Sequence, residues 1–450
     1  MQFEITKEYI QQIQQLIAEN KNTALLNLLE DLHYADVAEI IEELDTKEAI
    51  YLIKLLDSDV TSEVIAELDE DDREKILKRL SSKEIAEEIE ELDTDDATDI
   101  IAELSEEQKK EVISHIEDEE HAKDIIELLR YDEDTAGGLM AKELVKVNEN
   151  WNVLTCVKEM RKQAEEVTRV HSIYVVDDND ILKGRLSLKD LLTTSTKTAI
   201  KDVLIKKVDA VNVNDKAEDV ARIMQKYDLE AIPVVDELGR LVGRITIDDI
   251  VDVIKEEAEK DYQLAAGITQ DVEADDSIWK LTKARLPWLL IGMFGGLGAA
   301  SIINGFQGAF LKFPVLLIFI PLIQATAGNV GVQSSAIVVQ ALANNTMKGE
   351  MANRIFKEFL LGLINGLVIA SVVILISHFA FHTSFLISIT VCVALITVII
   401  MAALIGTFIP VFLEKQGIDP AVATGPFITT SNDVFGILIY FMIAKMILGF

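Results

Sequence analysis

Beyond Leu286 the apolar positions of this chain run together into five segments, at about 287–309, 314–341, 359–380, 385–412 and 421–447. Each reaches the roughly 20 residues that an α-helix needs to cross a bilayer. Their separators, FQGAFLKFP, ANNTMKGEMANRIFKEF, HFAFHTSF and EKQGIDP, are short and carry Pro, charge or polar clusters. Before Leu286 the apolar positions are periodic instead of continuous. In residues 1–130 the motif IEELD (41–45), IAELD (65–69), IEELD (89–93) and a weaker ISHIE (113–117) returns every 24 residues. Each unit has room for two short helices, and such units stack into a small solenoid. In residues 131–255 a second duplication has a period of 59: IYVVDDNDILKGRLSLKDLL (173–192) aligns with IPVVDELGRLVGRITIDDIV (232–251). Both copies predict strand, acidic turn, strand, then a helix entered through Ser/Thr-x-x-Asp. Residues 252–278 link this pair to the first apolar span and open as a charged amphipathic helix, a lever between the two parts.

The spans are not plain anchors. The second contains Pro321 and the polar, glycine-rich stretch QATAGNVGVQSS; the fifth opens DPAVATGPFITTSNDVFG, with Pro420 and Pro426. Both predict helices broken at membrane depth, which are tolerated only where backbone is buried in protein or lines a wet cavity. Asn329, Gln333, Thr429, Thr430 and Asn432 are the candidate lining residues. Asp433 reads as the only acid well inside a span, and a charge there costs a few kcal/mol on insertion scales, about 2.5–3.5. Either it hydrogen-bonds a neighbouring helix or it meets a cation.

Charge sharpens the division. The chain carries 42 Lys/Arg and 76 Asp/Glu, and only nine of the former and five of the latter fall after residue 279. So acidic a soluble part repels nucleic acid and anionic lipid and attracts cations. Lys280, Lys283, Arg285, Lys348, Arg354, Lys357 and Lys415 fall on one side of the membrane and only Lys312 and Lys445 on the other. This places the N-terminus and acidic part in the cytosol and, with five spans, the C-terminus outside. The opening MQFEITKEYIQQIQQ is not a secretory signal, and Cys156 and Cys392 are too far apart to suggest a disulfide framework. In the solenoid, Asp69, Asp71 and Asp72, and again Asp93, Asp95 and Asp96, either cap helices or offer oxygens to a divalent ion.

The second repeat pair resembles tandem cystathionine-β-synthase (CBS) domains, in which the Ser/Thr and Asp of the motif hold an adenosine ribose. The matching positions are Ser187 with Asp190, and Thr246 with Asp249, and they make ATP or another adenine nucleotide a candidate ligand. Helix capping is the alternative. The whole order resembles the MgtE family of Mg²⁺ channels: AGNVGVQ (327–333) and DPAVATGPFITTSNDVFG (419–436) carry the likeness, with Ala327 where many members have Gly. It implies a multidomain membrane protein of the plasma membrane. Its parts would be an all-α helical-repeat domain (1–130), an α+β tandem CBS pair (131–195 and 196–255), a connecting helix (256–279) and a five-helix transmembrane bundle (280–450). It implies a homodimer in which Asp433 meets hydrated Mg²⁺ on the two-fold axis, with carbonyls across Ala421–Gly425 nearby. It further implies closure by cytosolic Mg²⁺ at Asp95, Asp96, Glu218, Asp228, Asp249, Asp252, Glu257 and Asp261; Lys260 stands where an acid is expected.

Other classes fit less of the chain. A membrane-anchored nucleotide or divalent sensor that conducts nothing leaves Asp433 without a role. An anion channel calls for Arg or Lys within the spans, where none lies deep. No nucleophile–base pair, zinc motif or phosphate loop supports an enzyme, and His378 and His382 lack supporting acids.

Overall fold

A computed structural model describes all residues except 1–4, 165, 166, 168, 271, 275, 344, 345, 348–350 and 424. Lys348, counted among the flanking cations, and Thr424, within the carbonyl stretch, lie outside the described residues. The chain divides into two compact units, Met1–Lys255 and Glu256–Phe450.

The first unit opens with ten short helices: α1 (Lys7–Ala18), α2 (Asn22–Leu29), α3 (Tyr34–Glu42), α4 (Thr46–Ile53), α5 (Ser58–Glu67), α6 (Glu70–Leu77), α7 (Ser82–Ile89), α8 (Thr94–Ala102), α9 (Glu106–His115) and α10 (Glu119–Leu128). The starts of α3, α5, α7 and α9 fall 24 residues apart, at 34, 58, 82 and 106. The repeated motif explains the stacking. Ile41, Ile65 and Ile89, and Leu44, Leu68 and Leu92 three residues on, all point into one core. The acids between them, Glu42, Glu67 and Glu90 included, are exposed or half-buried at the turn. Each buried Ile or Leu is worth about 1.5–3 kcal/mol, so the inward pair holds successive repeats together.

Helix entry separates the repeats. Asp45 caps α4, accepting from the amides of Lys47 at 2.8 Å and Glu48 at 3.0 Å in a reciprocal capping box. Asp69 and Asp93, at the same position in the next two repeats, sit at the N-cap without a side-chain capping bond.

The CBS pair follows. One half contains β1 (Val145–Asn148), α11 (Val153–Gln163), β2 (Ile173–Val176), β3 (Leu182–Leu186) and α12 (Leu188–Thr193). The other contains β4 (Val211–Asn212), α13 (Ala217–Tyr227), β5 (Ala231–Val235), β6 (Leu241–Thr246) and α14 (Ile247–Ala266). In each sheet the first two strands are parallel and the last two antiparallel. The duplication extends to the acidic turns. Asp177 accepts from the amides of Asn179 and Ile181, and Asp236 from those of Leu238 and Arg240. The connecting helix departs from its expected span of 256–279: α14 already begins at Ile247, as the helix of the second CBS motif, and ends at Ala266. Gly267, at φ 82°, follows it in the left-handed region that favours glycine.

Among its described residues the second unit holds five helices long and apolar enough to cross a membrane. They are α15 (Ile278–Gly305), α17 (Ile320–Ala343), α18 (Met351–Phe379), α19 (Phe385–Lys415) and α20 (Gly425–Leu448), with the short α16 (Gln307–Lys312) after the first. The expected break within the second span is displaced. QATAGNVGVQSS is helical throughout, and the irregular part is a 3₁₀ segment, Pro314–Phe319, ahead of it. Pro321 falls in the first turn of α17, where a missing amide hydrogen costs nothing. The carbonyl of Leu316, in the 3₁₀ segment, accepts from the buried Tyr440 hydroxyl at 2.8 Å. The fifth span does break, as a 3₁₀ turn at Pro420–Ala423 before α20.

Candidate cation sites

In the first unit, carboxylates converge where α8 meets the segment joining the solenoid to the CBS pair. One oxygen each from Asp93, Asp95 and Glu143 lies within 4.8 Å of the others. The position is built by backbone pairing. Ala141 and Arg244 exchange amide–carbonyl bonds of 2.8 and 2.9 Å, which brings the strand end of β6 beside residues 141–143. The buried Arg244 then donates from its guanidinium to the carbonyl of Glu143 and to Asp93, the latter at 3.2 Å. Thr94 donates to the Glu143 carboxylate from its amide at 3.2 Å and its hydroxyl at 2.8 Å. Asp93 therefore leaves its capping position to face this cluster.

Asp249, from the first turn of α14, adds a further charge. Burial raises the Asp95 carboxyl well above its ordinary range, and repulsion by Asp249, Asp96, Asp93 and Glu143 adds to it. Asp96 rises to about 7 through burial and then Asp249 and Asp99. Asp99 rises to about 7 as well, burial outweighing the nearby Arg73. Both keep side-chain contact with solvent, so water screens part of that repulsion. Asp249 rises to about 6 by burial, despite accepting from the Thr246 amide and hydroxyl. Farther along the seam, Glu67 is raised first by burial and then by Asp252. Crowded carboxylates that outnumber the arginines Arg244 and Arg73 among them are an all-oxygen donor set, which suits a hard divalent cation.

Of the other expected regulatory positions in the first unit, Glu218 and Asp228 are not part of this cluster. Glu218 pairs with Arg222 at 2.6 Å on α13, and Asp228 ends that helix at φ 54°, exposed. Glu257 and Asp261 belong to the second unit, where Lys260 pairs with Glu257 at 2.9 Å. Glu143, which sequence reasoning missed, lies in a stretch without periodicity; its place depends on the Ala141–Arg244 pairing.

The two nucleotide motifs differ. Thr246 is buried and closes on Asp249 at 2.9–3.0 Å, so that pair is occupied internally. Ser187 makes no side-chain capping bond, and with Asp190 it lines a cavity of about 470 Å³ that also presents His171, Arg185 and Lys189.

In the second unit, Asp433 sits in the third turn of α20, against Gly328 of α17. A Cβ at Gly328 would be 3.2 Å from Thr429 Cγ2 and 3.9 Å from Asp433 Oδ1, so glycine is what lets the two helices meet here. The only basic residue of α20, Lys445, lies in its last turn. Asn329 and Gln333, four residues apart, are exposed on one face of α17. Two expected lining residues turn elsewhere. Thr430 packs against Gly295 of α15, and Asn432 is fully buried under Gly331 of α17. A helix turns 100° per residue, so Asn432, next to Asp433 in the chain, cannot share its face. Ala421 is buried, its amide donating to Asp419 at 2.7 Å, and Gly425 lies against the carbonyl of Ala265. The spans also hold a second acid that the sequence reading missed. Glu358, in the second turn of α18, is buried and accepts from Ser334 at 3.3 Å.

A polytopic unit with one acid on a glycine-packed helix pair, joined to an acidic CBS-containing unit, fits the class of membrane cation-transport proteins, and comparison with known proteins agrees. Residues 320–443 match the family model MgtE, described as a divalent cation transporter; 32–134 match the MgtE intracellular N domain, and 136–196 and 200–256 match CBS domains. The chain is 37% identical over 328 residues to the magnesium transporter MgtE of Enterococcus faecalis, covering 73% of this chain and 72% of that protein. It is 34% identical to the magnesium transporter MgtE of Thermus thermophilus, covering 72% of each. Among solved structures, the cytosolic domain of the Mg²⁺ channel MgtE in complex with ATP superposes with a TM-score of 0.51 at 34% identity, covering 54% of this chain and 99% of that one. The soluble part of a magnesium transporter gives 0.50 at 31% identity, covering 56% and 99%. This chain belongs to the MgtE family.

Proposed function

We propose that the chain carries Mg²⁺ across the plasma membrane along a path whose acid is Asp433, and that Mg²⁺ in the cytosol closes this path by binding the carboxylate seam. The observation that carries the reading is Asp433 itself, a carboxylate on the glycine-packed contact of α17 and α20 with no basic residue near it on its helix. Mg²⁺ sheds water reluctantly and prefers octahedral oxygen, so a carboxylate such as Asp433 handles it as a hydrated ion. Two copies in a homodimer would place two such acids on the two-fold axis. Regulation follows from charge: without Mg²⁺ the seam of Asp93, Asp95, Asp249 and Glu143 repels itself, and Mg²⁺ offsets that repulsion and favours one arrangement. The N-terminus and CBS pair are cytosolic in this reading, and the cavity at Ser187 and Asp190, with Arg185 and Lys189 for phosphates, takes ATP or a related adenine nucleotide.

The test is Mg²⁺ influx into proteoliposomes. Wild type passes Mg²⁺, and Asp433→Ala loses at least about tenfold of the flux, as expected when a membrane carboxylate meets the ion. Equal flux through both would remove Asp433 from the path.

A further inference from the structure

Asn432 is fully buried, and neither its amide nitrogen nor its amide oxygen has a hydrogen-bond partner among the described residues. Burying an amide without partners is costly, and within a bilayer no solvent makes up the loss. The amide lies against Gly331 of α17, close enough that a Cβ there would collide with Nδ2; the carbonyl of Gly331 in turn abuts Gly406 of α19. One helical turn beyond Gly331 on the same face of α17, Ser335 is also fully buried with its hydroxyl unpartnered. The Asn432 amide thus meets α17 at Gly331, and Ser335 lies on the same face about 6 Å farther along the α17 axis.

The chemistry identifies what joins them. A cation would satisfy the amide oxygen but face the NH₂ hydrogens of the same group with like charge. An anion would do the reverse. A neutral group that both donates and accepts serves Asn432 and Ser335 together, and the smallest such group is water.

We propose that Asn432 and Ser335 hold a buried water between α17 and α20, and that Asn432 acts through it as a positioning residue for Asp433. Asp433 follows directly in the chain and meets the same helix at Gly328, so the rotation of α20 about α17 sets where its carboxylate points. The proposal rests on the reading of Asp433 as the acid of the path.

The experiment measures Mg²⁺ influx into proteoliposomes against Mg²⁺ concentration for the full-length protein and for Ser335→Ala, Asn432→Leu, both together, Asn432→Asp and Asp433→Ala. Ser335→Ala removes one oxygen and little volume, which keeps the proposal falsifiable if Asn432→Leu fails to fold. The expected result is a rise of about tenfold in the half-saturating concentration for Asn432→Leu, in line with loss of a buried hydrogen-bond partner. Maximal flux changes less. Ser335→Ala shifts it in the same direction, and the double variant is no worse than Asn432→Leu, because one water is lost once. Asn432→Asp weakens transport under this proposal, whereas strengthening would mean a cation at the site and overturn it. Additive effects, or an unchanged half-saturating concentration in Ser335→Ala, also overturn it. Flux unaffected by Asp433→Ala would instead overturn the reading of the path, separately from the Asn432 result.

Discussion

The two units use carboxylates in opposite ways. In the first, Asp93, Asp95, Asp96, Asp249 and Glu143 crowd together, and burial, with repulsion among them, raises the proton affinity of Asp95, Asp96 and Asp249. In the second, Asp433 stands against glycine and threonine, and Glu358 has one serine for a partner. A crowded seam is a spring: its free energy changes steeply with bound positive charge, which suits sensing. A lone carboxylate has no such crowding to relieve, which suits passage of an ion. What distinguishes them is the packing that surrounds each acid, more than the acid itself.

The sharpest way to break this comparison is to loosen the packing beside the lone acid. Gly331→Ala drives a methyl group into the Asn432 amide, and overpacking of this kind should cost about 1–3 kcal/mol. Thermal unfolding in detergent should fall accordingly, while Gly292→Ala, where nothing lies within 4 Å of the new methyl group, should unfold like wild type. On the other side of the comparison, Asp95→Asn with Asp249→Asn relieves the seam of charge that Mg²⁺ would offset. The Mg²⁺ concentration that half-protects the first unit from trypsin should rise by about tenfold, a coupling of about 1.4 kcal/mol. Unchanged protection would place the Mg²⁺ sensor elsewhere.

Proton binding should imitate Mg²⁺ at the seam. Asp96 and Asp249 have folded values of about 7 and about 6, above the ordinary aspartate range. The folded seam therefore binds protons more tightly than the unfolded chain, and stability falls as pH rises from that range through these values. Without divalent ions, the full-length protein should melt lower at pH 8 than at pH 5, and Mg²⁺ should restore more at pH 8. The smallest effect separates two aspartates at equivalent repeat positions. Asp45→Ala loses a capping box and should cost about 1 kcal/mol. Asp93→Ala has no capping bond to lose, and its effect should appear in Mg²⁺ protection through Arg244.

The solenoid and the CBS pair were legible because their signals are local. A period of 24 with Ile and Leu three apart states which side faces inward, and paired Asp turns repeat with the strands they join. The five spans follow from length and hydropathy. What stayed hidden depends on contacts between distant segments. Glu143 reaches the seam only through Ala141 and Arg244. Thr430 and Asn432 look like lining residues beside Asp433, and only the helix rotation set by Gly295 and Gly331 turns them away. The AGNVGVQ stretch reads as a break because glycine is rare in helix interiors, yet here Gly328 and Gly331 are the places where α20 approaches. Glu358 was obscured by its charged neighbours in RIFKEF, where it reads as the polar end of a span.

The central claim is that sensing and passage are separable. Mg²⁺ influx into proteoliposomes should be followed for wild type, Asp433→Asn and the Asp95→Asn, Asp249→Asn double variant, with Mg²⁺ low and then high on the face bearing the first unit. The account predicts that wild type passes Mg²⁺ only at low Mg²⁺, that Asp433→Asn passes little at either, and that the double variant keeps passing at both. A double variant that shuts off at the same Mg²⁺ concentration as wild type would contradict it.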